Sequence, residues 1–520
     1  MARAAAKTIS GEGSAKVQLL YSRRDCQSAE QRRALITSNN SLRGGVGRTD
    51  VTPPVPADLV GYVRRWIPAT EVRAPLTATA LVLESETERV AILGIDLAIL
   101  NPDYATMIRE RIAEAISTRP ESVLLNVSHT HAGPHTPGRV KLGGRLDEIK
   151  PSEQAYFEIL PHQLVSAALI AAENTVPVRV GSTSTEVRGL SVNRRERVQG
   201  VEGTVGSLNT ILGWNPDGPI DRDAGVIRVD RHDGSPLAVV VSFGCHPVTV
   251  GPEDPAINPD FPWPLREAVE EATGAMCVFL QGAGGNVLPL QAFLPETGAE
   301  KAFGEKLAAE ALHAMGNIET FETRVERLAY GSVTPIALYR VVRAETQPAQ
   351  ELAVASTVVD LPLKRVPPIA EVQAERDHYQ ANLDKAREAG AGWEELNPIQ
   401  YHISWAEVAI AQLEEAPYDR VPAFIQAIRI GDTAIVSIPG EAFAEIALAI
   451  RDRSPADRAK TIFSGYSNGV ISYLPSAAEY PHGGYEVDYA HHSYGLIEQV
   501  APESEAILVE AGVKVLKELW

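Results

Sequence analysis

Cysteine is nearly missing from this chain: Cys26, Cys245 and Cys277 are all that 520 residues contain. None stands in a Cys-x-x-Cys spacing, so no disulfide framework can be drawn, and a reducing compartment is compatible. Basic charge is also short. Lys and Arg number 48 against 67 Asp and Glu, a formal charge of −19, which leaves no cationic excess to replace counterions on a phosphate backbone; nucleic acid is excluded as a partner. Long apolar runs are missing as well. The opening "MARAAAKTISGEGSAKVQLLYSRRDCQSAEQRR" has no secretory apolar core, and no segment reads as a bilayer span or as an amphipathic membrane surface helix. These absences favour a cytoplasmic protein. No internal repeat and no low-complexity tract is found.

What is there is the composition of a loop-rich soluble enzyme, with 44% hydrophobic residues, 40 Gly and 36 Pro. Residues 1–43 are expected to be a poorly ordered leader and the folded domain to span 44–520, starting at "GGVGRTDVTPP". From there strand-like and helix-like patterns alternate. "ATALVLESETERVAILGIDLAIL" reads as two strands about a polar turn, "DYATMIRERIAEAI" as a helix, "SVLLNVSHTH" as a strand and "SEQAYFEILPHQLVSAALIAAEN" as a helix. Further strands are expected at "AGVIRVDR", "PLAVVVSFGCH" and "AMCVFLQG". The fold class is therefore α/β, mixed sheets flanked by helices. Residues 367–415 differ: two polar helical patterns form a hairpin, expected as an insertion beside the core and a candidate lid.

Chemistry concentrates where apolar runs stop. In "LLNVSHTHAGPH" three of the chain's 12 histidines fall close together after a strand. If the strand continues, His129 and His131 project to one face and could grip one metal. Alone, such a pair as readily satisfies hydrogen bonds at a strand end, so partners are needed. A metallo-β-lactamase would place an Asp and a further His next, but Ala132, Gly133 and Pro134 stand there. An amidohydrolase barrel would carry the motif on its first strand, whereas at least two strands precede this one. Better partners are His246, which ends "VVVSFGCH", and Glu441, which follows the strand and turn "AIVSIPG" and opens the next apolar pattern, expected as a helix.

Taken in order, "GVGRTDVT", "SHTHAGP", "SVNRR", "CHP", "QGAGGNVLP" and "IPGEAF" resemble the catalytic domain of the neutral/alkaline (non-lysosomal) ceramidases, over roughly residues 44 to 520. The resemblance implies one zinc ion held by His129, His246, Glu441 and a tyrosine, which falls on Tyr480 with Tyr485 as the nearby alternative. It implies that His131 faces the substrate without ligating, and that Arg194 and Tyr494 assist at the developing oxyanion. It also implies attack of metal-bound hydroxide on an amide carbonyl, the water's pKa being lowered to roughly 7. Tyr62, Arg64, Arg65 and Trp66 of "GYVRRWIP" match substrate-facing positions and suit a polar or anionic small molecule. His135, His491 and His492 receive no role.

Two departures stand out. Where the family carries an acid and a serine beside the metal, this chain has Asn286 and Leu288, which can supply neither a general base nor a hydroxyl. Where the family continues into a β-sandwich domain, "SYGLIEQVAPESEAILVEAGVKVLKELW" closes as a helix, so a catalytic domain alone is expected. The activity implied is zinc-dependent hydrolysis of a linear N-acyl amide with an unassigned substrate, and long-chain ceramide is expected to be a poor one. A zinc esterase or lactonase on the same scaffold and a non-catalytic metal-binding homologue are the alternatives.

Overall fold

The computed structural model describes residues 42–520 except 64, 66, 139–148, 204–205, 296–297 and 331–335. Arg64, Trp66 and the expected leader up to residue 41 lie outside the described residues. The first strand, β1 (Arg43–Asp50), starts one residue before the expected boundary, and Leu42 is already buried in the core.

The largest sheet has eight strands. After β1 come β2 (Thr77–Glu84), β3 (Arg89–Ile95), β4 (Val123–Val127), β5 (Val176–Glu186), β6 (Asp223–Arg231), β7 (Pro236–Phe243) and β8 (Met276–Gln281), arranged in space as β8-β7-β6-β5-β1-β2-β3-β4. Neighbours are antiparallel except at the two edges, where β7–β8 and β3–β4 run parallel. A second, four-stranded sheet is ordered β9 (Leu352–Pro362), β10 (Arg420–Ile430), β11 (Thr433–Ser437) and β12 (Thr461–Ser464), with β11 and β12 parallel.

Side-chain alternation sorts these strands into layers. In β2, Leu81 and Leu83 join Ile227, Val240 and Leu280 of the large sheet and Ile428, Ile435 and Ile462 of the small one, so the two sheets pack face to face. Ala78, Ala80 and Val82 point the other way, onto α1 (Pro102–Ile116) and α2 (Pro151–Glu173). The helices α3 (Pro262–Thr273) and α4 (Ala299–Gly316) cover the β7–β8 end of the same outer face. By length and composition α2 could cross a membrane. Its buried residues Leu160, Leu164, Ala167 and Ala171 instead pack against the sheet.

The hairpin of α5 (Ile369–Glu388) and α6 (Trp393–Glu415) is less peripheral than its polar sequence suggests. Trp405, Ala406, Ala409, Ile410 and Leu413 of α6 share a core with α7 (Ala444–Asp452), α8 (Ser504–Lys517) and the outer face of the small sheet. Three of its side chains hydrogen-bond to neighbouring segments: Asn397 Nδ2 donates to the Val63 carbonyl, Trp405 Nε1 to that of Leu496 and Gln412 Nε2 to that of Gly495. This layering brings the C-terminal ends of β4, β7, β8, β11 and β12 together, the usual place for a site in open α/β sheets.

Candidate metal centre

The expected extension of β4 to His131 does not occur. The strand stops at Val127, the chain turns, and His129 takes a left-handed backbone with φ of 67°. That conformation is uncommon for histidine and costs on the order of 1 kcal/mol. It is held by backbone donations from Ser128 to Ile95 and from His129 to Leu97. The turn, not strand alternation, aims His129 and His131 at one point.

Three imidazoles meet there. The ligand atoms of His129, His131 and His246 all lie within 4.8 Å of one another. His129 Nδ1 sits 2.7 Å from the Ala98 carbonyl and His246 Nδ1 sits 2.6 Å from that of Gly284, so both rings carry their proton on Nδ1 and turn a bare Nε2 inward. Burial, then Arg194, pulls His246 down to about 4, keeping it neutral. Burial also drives His131 well below its usual range.

Glu441 Oε2 faces those bare nitrogens at 3.3 Å from His129 and 3.1 Å from His246. Lone pairs on two imidazoles and a carboxylate thus face one another, an arrangement that a cation among them would relieve and that Arg194 Nη1, 3.1 Å from His246 Nε2, relieves in part. Two nitrogens and one oxygen form the donor set of a catalytic zinc site that keeps a position open. Glu441 does not open a helix as expected. It pairs in a two-residue strand with Tyr473, and α7 begins only at Ala444. Close approach places Glu441: Gly285 donates its N–H to the Ala442 carbonyl, and a Cβ at Gly285 would lie 2.3 Å from the Glu441 carbonyl oxygen.

The tyrosine expected at the metal is placed differently. Tyr480 donates its hydroxyl to the Val500 carbonyl at 2.7 Å, and no contact joins it to the histidines. Tyr485 lies one layer out, its hydroxyl 3.5 Å from Ser493 Oγ and its ring against that of Tyr473. Tyr473, bridged to Glu441, puts its hydroxyl 3.2 Å from His246 Nε2 and stacks parallel to that ring. Tyr494 donates to Glu441 Oε1 and Tyr466 donates to Oε2 at 3.2 Å. Sequence reasoning missed Tyr473 and Tyr466. The signal available was only that both sit in the turn-rich stretch between β12 and the last helix.

Arg194 reaches the centre as expected. Nε donates to Glu486 Oε1 at 2.7 Å and Nη1 to His246 Nε2 at 3.1 Å, while the buried Nη2 has no partner. Glu486 also takes Arg195 Nη1 at 2.6 Å, so one buried carboxylate, absent from the sequence reading, aims both guanidinium groups. Asn286 is committed elsewhere. Its Oδ1 accepts the Ala444 N–H and its Nδ2 donates to Glu445, both at 2.9 Å, which ties it to the first turn of α7. Leu288 is buried in the strand Val287–Pro289.

The Tyr62–Trp66 stretch is represented by Tyr62 and Arg65. Arg65 is buried, and its donors go to the carbonyls of His131 at 2.6 Å, Pro252 at 3.2 Å and Gly251 at 3.4 Å. It braces loops around the centre and has little left for an anionic ligand. Tyr62 donates to the Val250 carbonyl and packs edge-on to His131. Gly61, at φ of 101°, fits this wall because a Cβ there would lie 2.4 Å from the His131 ring.

No family model matches the chain, and no curated protein sequence matches it. Solved structures do. The crystal structure of neutral ceramidase from Pseudomonas aeruginosa is 18% identical, with a TM-score of 0.62 over 93% of this chain and 75% of that one. A structure described as ceramidase complexed with C2 is 18% identical, with a TM-score of 0.61 over 92% of this chain and 75% of that one. At such identity the likeness speaks for the fold. The chain therefore carries the neutral ceramidase fold, as the order of its motifs implied.

Proposed function

We propose that this protein is a zinc-dependent hydrolase that cleaves the amide bond of a small N-acyl substrate. The observation that carries the reading is the approach of His129 Nε2 and His246 Nε2 to Glu441 Oε2, at 3.3 and 3.1 Å. The fold supports it through its neighbours, which are described as ceramidases, ceramide being itself an N-acyl amide. His129, His246 and Glu441, with Tyr473 in reach, would hold the zinc, which would supply Lewis acidity and lower the pKa of water toward neutrality.

The chain's own residues do the rest. The carbonyls of Ala98 and Gly284 lock the tautomers of His129 and His246. Arg194, clamped by Glu486, holds a free Nη2 N–H donor for the oxygen that becomes negative as the carbonyl is attacked. His131, whose Nδ1 has no partner, is a neutral imidazole able to move a proton between nucleophile and leaving nitrogen. It replaces the acid that Asn286 cannot provide.

The test is metal content by elemental analysis with hydrolysis of matched N-acyl and O-acyl compounds. One zinc per chain and chelator-sensitive amide cleavage are expected. Metal-free protein that still cleaves the amide would overturn the reading, and cleavage of the esters alone would move it to an esterase.

A further inference from the structure

Beside the metal centre lies a cavity of about 30 Å³ whose apolar walls are Val60, Ile99, Pro134, Pro137, Val470 and the ring of Tyr494. Three of these residues fix where it sits. Tyr494 donates to Glu441 Oε1, Ile99 follows Ala98, whose carbonyl holds His129 Nδ1 at 2.7 Å, and Val60 precedes Gly61, where a Cβ would lie 2.4 Å from the His131 ring. The cavity therefore borders the centre on the side of Glu441 and His129.

Its chemistry is plain. Among the described residues no Asp, Glu, Lys or Arg lines it. Its hydroxyls are already engaged: Thr136 Oγ1 donates to the Ile99 carbonyl at 2.7 Å, and Ser493 Oγ shares a hydrogen bond of 2.6 Å with the Tyr401 hydroxyl. Asn101 Oδ1 caps α1 through the Asp103 N–H, and His135 sets its ring edge-on to that of Phe157. No charge and no uncommitted hydroxyl is left for a polar group. The walls are also fixed, because Val60 donates its N–H to the Gly133 carbonyl at 3.0 Å and Val470 donates to that of Leu100 at 2.8 Å. Since about 10–15 Å³ is needed for one water, the space takes about two or three carbon atoms. Walls joined by backbone hydrogen bonds do not part easily for a longer chain.

We propose that this cavity receives the acyl group of the substrate, and that the group is short and apolar, acetyl or propionyl. The proposal rests on the hydrolase reading and narrows it to a substrate class. Position assigns the acyl side. The lining reaches Glu441 and the His129 loop, which would hold the metal, whereas His131, placed to pass a proton to the leaving nitrogen, and its neighbour Tyr62 are not part of it. A substituent in the cavity is then carried by the carbonyl carbon and not by the nitrogen.

The test is isothermal titration calorimetry of the zinc-loaded full chain with straight-chain hydroxamic acids from acetyl to octanoyl, in which the zinc-binding group stays constant while the acyl chain lengthens. On an open apolar surface each added methylene tightens binding. Here affinity should peak at acetyl or propionyl and fall at least tenfold by octanoyl. Ile99→Ala removes a partly exposed wall residue and should move the peak to butyryl or beyond, with circular dichroism as the check on folding. Affinity that is flat or rises with chain length, or an Ile99→Ala protein that keeps the wild-type peak, would overturn the proposal and leave the metal site standing. A chain that takes up no zinc, or binds no hydroxamate of any length, would instead remove the hydrolase reading and this proposal with it.

Discussion

Two of the three central histidines have their outer nitrogen tied to a carbonyl, of Ala98 and of Gly284, and the third, His131, does not. Metal-ligating imidazoles almost always have that outer tie. His129→Ala, His246→Ala and Glu441→Ala should therefore each lose zinc, read by elemental analysis, whereas His131→Ala should keep it and lose roughly 10²-fold or more in turnover. A zinc-free His131→Ala protein would make that residue a ligand. Tyrosines divide the same way. Tyr473→Phe should weaken zinc retention in a chelator competition, because the hydroxyl lies 3.2 Å from His246 Nε2. Tyr480→Phe should leave retention unchanged, since its hydroxyl serves the Val500 carbonyl; the reverse ranking would restore Tyr480 to the site. His129, His246 and Glu441 were legible in the sequence because each follows an apolar run, whereas Arg194 and Tyr494 were singled out only through the family resemblance. Tyr473 was not, because a two-residue pairing with Glu441 is what brings it in.

At the level of elements, α7 starts on a side chain borrowed from 158 residues away, the Asn286 Oδ1 that accepts the Ala444 N–H. Asn286→Ala would strip that acceptor and the partner of Glu445, at a cost of about 1–3 kcal/mol in urea unfolding. Asn286→Asp tests the same contact by charge. Glu445, 2.9 Å away, already has its pKa raised, by burial first. Two carboxyls at that distance must share a proton, which the unfolded chain would release. The native state then binds more protons, so the variant's stability should fall as pH rises from 5 to 8. A pH-independent difference from wild type would mean that the contact is not formed. The expected helical hairpin is also redefined at this scale. Its polar surface suggested an accessory piece, but α6 buries Trp405 and Leu413 in a shared core and hydrogen-bonds to residues 495 and 496 next to Tyr494.

Across the whole molecule, burial of neutral histidines sets the acid limit. Burial pulls His402 to about 4 and His491 to about 3 and drives His492 well below the usual range. His402 and His492 also face each other Nδ1 to Nδ1 at 2.9 Å, so one donates while the other stays bare. With folded pKa values below the unfolded value of about 6.5, this stabilisation is complete above that pH and is lost as pH falls from there toward 4. Each group contributes a slope of up to about 1.4 kcal/mol per pH unit. Urea unfolding at several pH values in chelator should show this decline, and His402→Gln should flatten it. Identical slopes in the two proteins would show that the cluster does not titrate in this way.

The sequence by itself determined the α/β class, most element positions and the candidacy of His129, His131, His246 and Glu441. Periodicity, turn residues and the abrupt end of apolar runs are local signals that survive without a fold. Only the tertiary structure decided which tyrosine meets His246, that Arg65 spends its donors on loop carbonyls, that Asn286 anchors a helix and that Glu486 aims Arg194. Each of these depends on a contact between segments far apart in the chain, where hydrogen bonding under burial selects one partner among chemically equal candidates.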